Sequence, residues 1–281
     1  MAQIGKINEL KVVKLVDFGI YLDGEEHGEI LMPKRYVPEN CQPGDTVTGF
    51  VYLDSEDRII VTTEKPYAMV DEFALLRVKS VNSIGAFLDW GLMKDLLVPF
   101  REQTVKMEED RSYLVYVYLD FETKRIVASA KLDQFLDIKP VTFEKGDMVD
   151  LIIANQTEIG YKAIINKTWW GILYKNEVFQ PLEKGQHLKG YINKVREDEK
   201  IDLILQKPHY SKVTDISTLI IDKLKVNDGF LKITDKSSPE KIYDIFGISK
   251  KAYKMAVGSL YKSKIVRLEE DGIRLINTQS R

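Results

Sequence analysis

LKVVKLVDFGIYLD (residues 10–23) aligns without a gap to LRVKSVNSIGAFLD (76–89). Both stretches hold a β-rich run, a glycine, an aromatic residue two places later, a branched apolar residue and an aspartate. Gly19 and Gly85 are 66 positions apart, and VYLDSEDRIIV (51–61) matches VYLDFETKRIVA (117–128) at the same offset, Asp54 to Asp120. Two signatures repeating at one spacing define a duplicated module. A third, more divergent copy begins at Gly146-Asp147, with IGYKAII around Gly160 and GYINKVREDEKIDLILQKP at 190–208. Each copy contains about five alternating apolar segments separated by turn signals such as Gly24-Glu25-Glu26, Pro43-Gly44-Asp45 and Asp54-Ser55-Glu56-Asp57. Five short strands in roughly 65 to 70 residues suit a small Greek-key barrel of the OB type.

Beyond Pro208 the apolar period changes from two to that of a helix. In DISTLIIDKLK (215–225), Ile216, Leu219, Ile220 and Leu224 fall on one helical stripe. Ser238-Pro239 supplies an N-cap and a first-turn proline for a second helix over 240–246, which Gly247 ends. Ser249 caps a third helix running to about Lys262, and KIVRLEEDGIRLI (264–276) reads as a hairpin turning at Asp271-Gly272. Three helices and a hairpin in that order are a winged helix. On the third helix Ala252, Ala256 and Leu260 should face the core, leaving Lys250, Lys254 and Tyr261 on another face with Lys251 and Lys262 beside them.

The fold class expected is therefore mainly β with a C-terminal α+β domain. Three tandem five-stranded OB-fold barrels, at 1–66, 67–141 and 142–208, precede a winged helix at 209–281. A chain of 281 residues with 44% hydrophobic and 30% charged residues is too apolar for a disordered protein and too long for one core. Cys41 is the single cysteine, so no intramolecular disulfide forms and a reducing compartment is expected. No leader pattern and no apolar run near the roughly 20 residues of a membrane span appear, which points to the cytoplasm and to no membrane partner.

Chemistry is not signalled. His27, His187 and His209 are scattered without metal-ligand spacing, and no phosphate-binding glycine loop or nucleophile elbow occurs. The acidic runs Glu108-Glu109-Asp110 and Glu197-Asp198-Glu199 fall in turns, where charge is ordinarily solvated. Neither a catalytic residue, a metal site nor a cofactor is expected.

The run V-x-x-L-x-D-F-G-I-Y-L-D, followed by P-G-D-x-V-x-G, resembles the RNA-binding OB domain of the ribosomal S-one type. Three such domains and a C-terminal winged helix resemble the conserved virulence factor B family of bacterial RNA-binding regulators over nearly the full chain. The resemblance implies two stacking aromatics flanking the glycine. Phe18 and Tyr21 match both in the first copy, Phe87 matches one in the second, where Ile84 takes the other place, and the third has Ile159 and Lys162. The family's histidine in the next strand falls near Leu31 and Val98, both apolar.

Copy three offers other candidates. Asn166-Lys167-Thr168-Trp169-Trp170-Gly171 sets two tryptophans together near Tyr174 and Lys175, and strand alternation sends them to opposite faces. Lys189, Tyr191, Lys194 and Arg196 form a second aromatic and basic stretch. Charge favours this end: copies one, two and three hold 7, 10 and 10 basic against 12, 12 and 10 acidic residues, and the last 73 residues hold 14 against 9. A polyanion is repelled by a negative surface. The expected function is a noncatalytic RNA-binding, post-transcriptional regulator contacting single strands through its OB barrels, at Phe18, Tyr21 and Phe87 among others, and the basic winged helix, with most of the affinity from the third barrel and the winged helix. A protein-interaction scaffold, or a DNA-binding regulator using the winged helix on duplex nucleic acid, is the alternative. The sequence is silent on oligomeric state.

Overall fold

The computed structural model describes residues 1–178, 181–205 and 213–276. The boundary drawn at 208/209, and His209, lie outside the described residues. The chain divides into two compact units, residues 1–136 and 137 onward.

The first unit holds two closed five-stranded barrels. One comprises β1 (Ile7–Val16), β2 (Gly19–Asp23), β3 (Glu29–Pro33), β4 (Thr46–Leu53) and β5 (Ile59–Thr62), joined in the order β1-β2-β3-β5-β4 and closed by β4 on β1. The other repeats this order with β6 (Glu72–Val81), β7 (Gly85–Asp89), β8 (Leu96–Pro99), β9 (Ser112–Leu119) and β10 (Ile126–Ser129). In the second unit β11 (Met148–Gln156), β12 (Gly160–Ile165), β13 (Trp169–Tyr174), β14 (His187–Val195) and β15 (Ile201–Ile204) close a third barrel in the same way. Parallel pairing of the third and fifth strands in every barrel completes the Greek key expected from the repeat.

The glycine that anchors the repeat has one cause in all three copies. It opens the second strand so close to the third that a Cβ at Gly19, Gly85 or Gly160 would lie 2.1, 2.3 or 2.0 Å from the carbonyl oxygen of Met32, Val98 or Leu173. Glycine alone allows that approach.

Alternation along the strands fills each interior: Ile20, Leu22, Ile30 and Met32 in the first barrel, Ala86, Leu88, Leu96 and Val98 in the second, Ile153, Ala163, Leu173 and Leu203 in the third. The two barrels of the first unit also share a core across their junction. Phe50, Tyr52 and Ile60, on the outer face of β4 and β5, are buried with Trp90, Ala68 and Val70, the Phe50 and Trp90 rings meeting edge-on at 5.8 Å.

The winged helix consists of α1 (Val213–Val226), β16 (Phe230–Leu231), α2 (Pro239–Phe246), α3 (Lys250–Lys262), β17 (Val266–Leu268) and β18 (Ile273–Leu275). Ser238 Oγ accepts from the Lys241 amide at 3.3 Å and Ser249 Oγ from the Ala252 amide at 3.2 Å, as the caps require. Gly247, left-handed at φ 66°, ends α2 with its N–H on the Tyr243 carbonyl. Ile216, Ile220 and Leu224 of α1 meet Ala256, Val257 and Leu260 of α3 in the core. Two features differ from the sequence expectation. The hairpin gains a third strand, β16 pairing with β18, and Tyr253, on no apolar stripe read from the sequence, is fully buried with its hydroxyl donating to the Ile233 carbonyl at 3.4 Å.

Candidate nucleic-acid interface

Strand register lines up one outward-facing row across four strands of each barrel. In the first the row is Tyr21, Leu31, Ile60 and Tyr52. In the second it is Phe87, Leu97, Val127 and Tyr118. In the third it is Lys162, Ile172, Asp202 and Lys194. Register also corrects one alignment: the counterpart of Leu31 is Leu97, opposite Phe87, whereas Val98 points into the core. A slip of one residue reverses facing, so the sequence alignment could not settle it.

The apolar rows are largely used for packing. Tyr52 and Ile60 lie under the second barrel. Val127 is buried, and Tyr118 packs beneath Phe135 at 5.4 Å, its phenol pushed up to about 12 by burial and then by Glu102 and Asp120. What remains of the second row lines a cleft of about 420 Å³ with Ile84, Met93, Lys94 and Arg125. Its cations are engaged by the first barrel: Arg125 and Lys94 both pair with Asp57, and Lys94 Nζ also donates to the Asp54 carbonyl at 2.6 Å. Those contacts hold the Asp57 carboxyl below the usual range. In the first barrel Phe18 is exposed, edge-on to Tyr21 at 6.3 Å, and Tyr21 carries Lys14 at 4.8 Å. Phe18, Ile84 and Ile159, just before the three glycines, are 57%, 56% and 54% exposed, so an apolar side chain stands outside each barrel at the same place.

In the third barrel the two tryptophans take opposite faces. Trp169 packs on the barrel core, edge-on to Phe143 at 4.8 Å, with its indole N–H donating to the Lys139 carbonyl at 3.0 Å. Trp170, Ile172 and Tyr174 alternate outward along β13, between the buried Gly171 and Leu173. Lys162 Nζ sits 3.7 Å from the Trp170 ring centre, and the Tyr174 hydroxyl donates to Asp202 Oδ1 at 3.2 Å. Beside them runs a cleft of about 430 Å³ lined by Lys162, Trp170, Ile172, Lys139 and Lys200 and also by Asp137, Asp198 and Glu199, Lys200 pairing with Asp198 at 3.0 Å. Aromatic faces with cations on a barrel surface are what stacking of bases and tracking of phosphates require.

The other candidates separate from this face. Lys167, on the left-handed turn between β12 and β13, and Lys189 line a second hollow with Met148 and His187, where Lys189 pairs with Asp150 at 2.5 Å. Tyr191 is half-buried opposite Met148, Arg196 pairs with Asp198 at 3.4 Å, and Lys175 is exposed on the short helix after β13. On α3, Lys251, Lys254, Tyr261 and Lys262 are exposed and Lys250 is half-buried, with Met255 exposed among them and Lys254 near Asp235 at 3.8 Å. Lys251 also offsets part of the upward shift that burial imposes on the Glu177 carboxyl.

Sequence reading missed Ile172, Asp202, Lys200 and Arg125. Arg125 had a signal in the repeat, since the aligned VYLD strands each lead into an arginine, Arg58 or Arg125. Asp202 had none, because its place in the row comes from strand pairing. Among the described residues no cluster suited to a metal ion occurs and no helix is long and apolar enough to cross a membrane.

An S1 domain family model matches residues 4–64, and a CvfB-like winged helix domain model matches 218–275. The molecule thus joins S1-type OB barrels to a winged helix, domain types that bind nucleic acid and are not catalytic. Over nearly its whole length it is similar to proteins named conserved virulence factor B. It is 24% identical to "Conserved virulence factor B" of Staphylococcus saprophyticus, over 97% of this chain and 94% of that protein. It is also 26% identical to "Uncharacterized protein YitL" of Bacillus subtilis, over 90% of this chain and 87% of that one. Among solved structures, a multidomain protein with nucleic acid binding domains from Streptococcus pneumoniae is 24% identical, covering 97% of this chain and 98% of that one at a TM-score of 0.41.

Proposed function

We propose that this is a noncatalytic RNA-binding protein of the cytoplasm that engages single strands on the outer face of the third barrel, helped by the basic α3, and acts on transcript fate or translation. The observation that carries the proposal is the contrast between rows. Where the first two barrels present Tyr21, Leu31, Ile60 and Tyr52, or Phe87, Leu97, Val127 and Tyr118, the third presents Lys162, Ile172, Asp202 and Lys194 beside Trp170 and Tyr174. A flexible strand lays bases on such rings with sequence tolerance, and its phosphates follow the lysines. Phosphate contact, not base reading, is the role of α3, because the major groove of duplex RNA is too deep and narrow for a helix. Titration of an unstructured RNA at several salt concentrations tests this. Saturable binding that weakens with salt and prefers single strands to duplex is expected; no saturable binding would refute it.

The packing of the first two rows favours a second reading, a protein-interaction scaffold whose barrels have lost RNA contact and dock protein partners. Under it, RNA affinity would be absent from the whole chain, which the same titration detects.

A further inference from the structure

Asp202 stands where nothing in the barrel fold calls for a charge. Its counterparts in the rows of the other barrels are Ile60 and Val127. It faces outward from β15 between the buried Ile201 and Leu203, beside Ile172 on β13 and opposite Lys194 on β14. A carboxylate here weakens phosphate attraction even with Lys194 opposite it, and what it can offer a bound strand in return is hydrogen-bond acceptance. The Tyr174 hydroxyl donates to its Oδ1 at 3.2 Å and fixes its orientation. An ionised carboxylate only accepts hydrogen bonds, and it has lone pairs left after that contact.

Neighbouring strands lie about 4.8 Å apart. A base stacked over Trp170 and Ile172 in place of the Lys162 ammonium would lie one strand from Asp202, near enough for its Watson–Crick edge to be offered to the carboxylate, with Lys162 and Lys194 in the same row. The edge that suits two acceptor oxygens carries two adjacent donors. Guanine, with N1–H and the N2 amino group, has that edge. Cytosine offers an amino group next to an acceptor, adenine an amino group next to an acceptor, and uracil one N–H between two carbonyls.

We propose that Asp202 is a specificity-determining residue that selects guanine from single-stranded RNA at the third barrel, with Tyr174 as its positioning residue. This rests on the RNA-binding reading above and adds base choice to it. The test is fluorescence anisotropy with end-labelled octauridine and with versions carrying one central guanosine, inosine, adenosine or cytidine. The full-length wild type is compared with Asp202→Asn and Tyr174→Phe, each checked by thermal melting for an intact fold.

A single guanosine should tighten wild-type binding about tenfold over octauridine, in the range of a bidentate base contact. Inosine, which lacks the amino group, should recover only part of that gain. Asp202→Asn should abolish the preference, bringing the guanosine-to-uridine affinity ratio down to about one. Tyr174→Phe should lower the guanosine-to-uridine ratio by less. Equal wild-type affinity for all five oligonucleotides, a preference for adenosine or cytidine, or a guanosine preference that survives Asp202→Asn overturns the assignment while leaving RNA binding intact. Absence of saturable binding to every oligonucleotide would defeat the underlying reading as well.

Discussion

Trp169 and Trp170 are adjacent and take opposite faces of β13. Trp169 is a structural residue, packed on Phe143 and tied through its indole N–H to Lys139. Truncation to alanine should cost about 2–4 kcal/mol of stability, as for other large core residues, measured by urea denaturation. Trp170→Ala should leave stability within about 1 kcal/mol of wild type yet weaken RNA binding by about tenfold or more, the value of one stacked base. Period-two alternation told from the sequence that the pair is divided, but gave no phase, because the phase is set by the pairing of β13 with β12 and β15. The repeat glycines were legible as positions and their cause was not. Gly160→Ala would drive a methyl group into the Leu173 carbonyl, 2.0 Å away, and should destabilise the third barrel by about 2–3 kcal/mol in the same denaturation assay.

Strands and helices were legible where local chemistry decides them. The caps at Ser238 and Ser249, the glycine stop at Gly247 and the stripe on α1 all act within a few residues, and each forms as expected. β16 escaped because two residues become a strand only by pairing with β18, more than forty positions later. The burial of Tyr253 likewise depends on Phe246, stacked on it at 5.3 Å from the preceding helix. The short helix after β13 carries an electrostatic prediction. Burial raises the Glu177 carboxyl above its ordinary 4.5, with Lys251 opposing, so the folded state favours the protonated form. Its stability contribution is present below the ordinary carboxylate pKa and is lost as pH rises through the raised folded value. Glu177→Gln should therefore raise the melting temperature at pH 7 and change it little at pH 4; an equal or opposite shift at pH 7 would contradict that sign.

At the scale of the molecule, duplication supplied three copies of one barrel and packing left their outer rows different. The first two are joined by Phe50, Tyr52, Ile60 and Trp90 and by the pairing of Asp57 with Arg125 and Lys94, which covers part of each row and engages those two cations, while Tyr21 with Lys14 and Phe87 stay at the surface. The third keeps lysines in the equivalent row. Net charge per copy pointed the same way from the sequence, with 12 acidic against 7 basic residues in the first copy and equal numbers in the third. Composition gives no arrangement, however, and the row itself exists only in the folded register.

Equilibrium binding of an unstructured RNA decamer to full-length protein, followed across salt, distinguishes the barrels directly. Trp170→Ala combined with Lys194→Ala should weaken binding about thirtyfold or more, one stacked base and one phosphate contact together, and make the salt dependence shallower by about 0.7 in log–log slope. Tyr21→Ala and Phe87→Ala should remain within about twofold of wild type. Full affinity in the third-barrel double variant, with loss in the Tyr21 or Phe87 variants, would contradict the assignment of RNA to the third barrel.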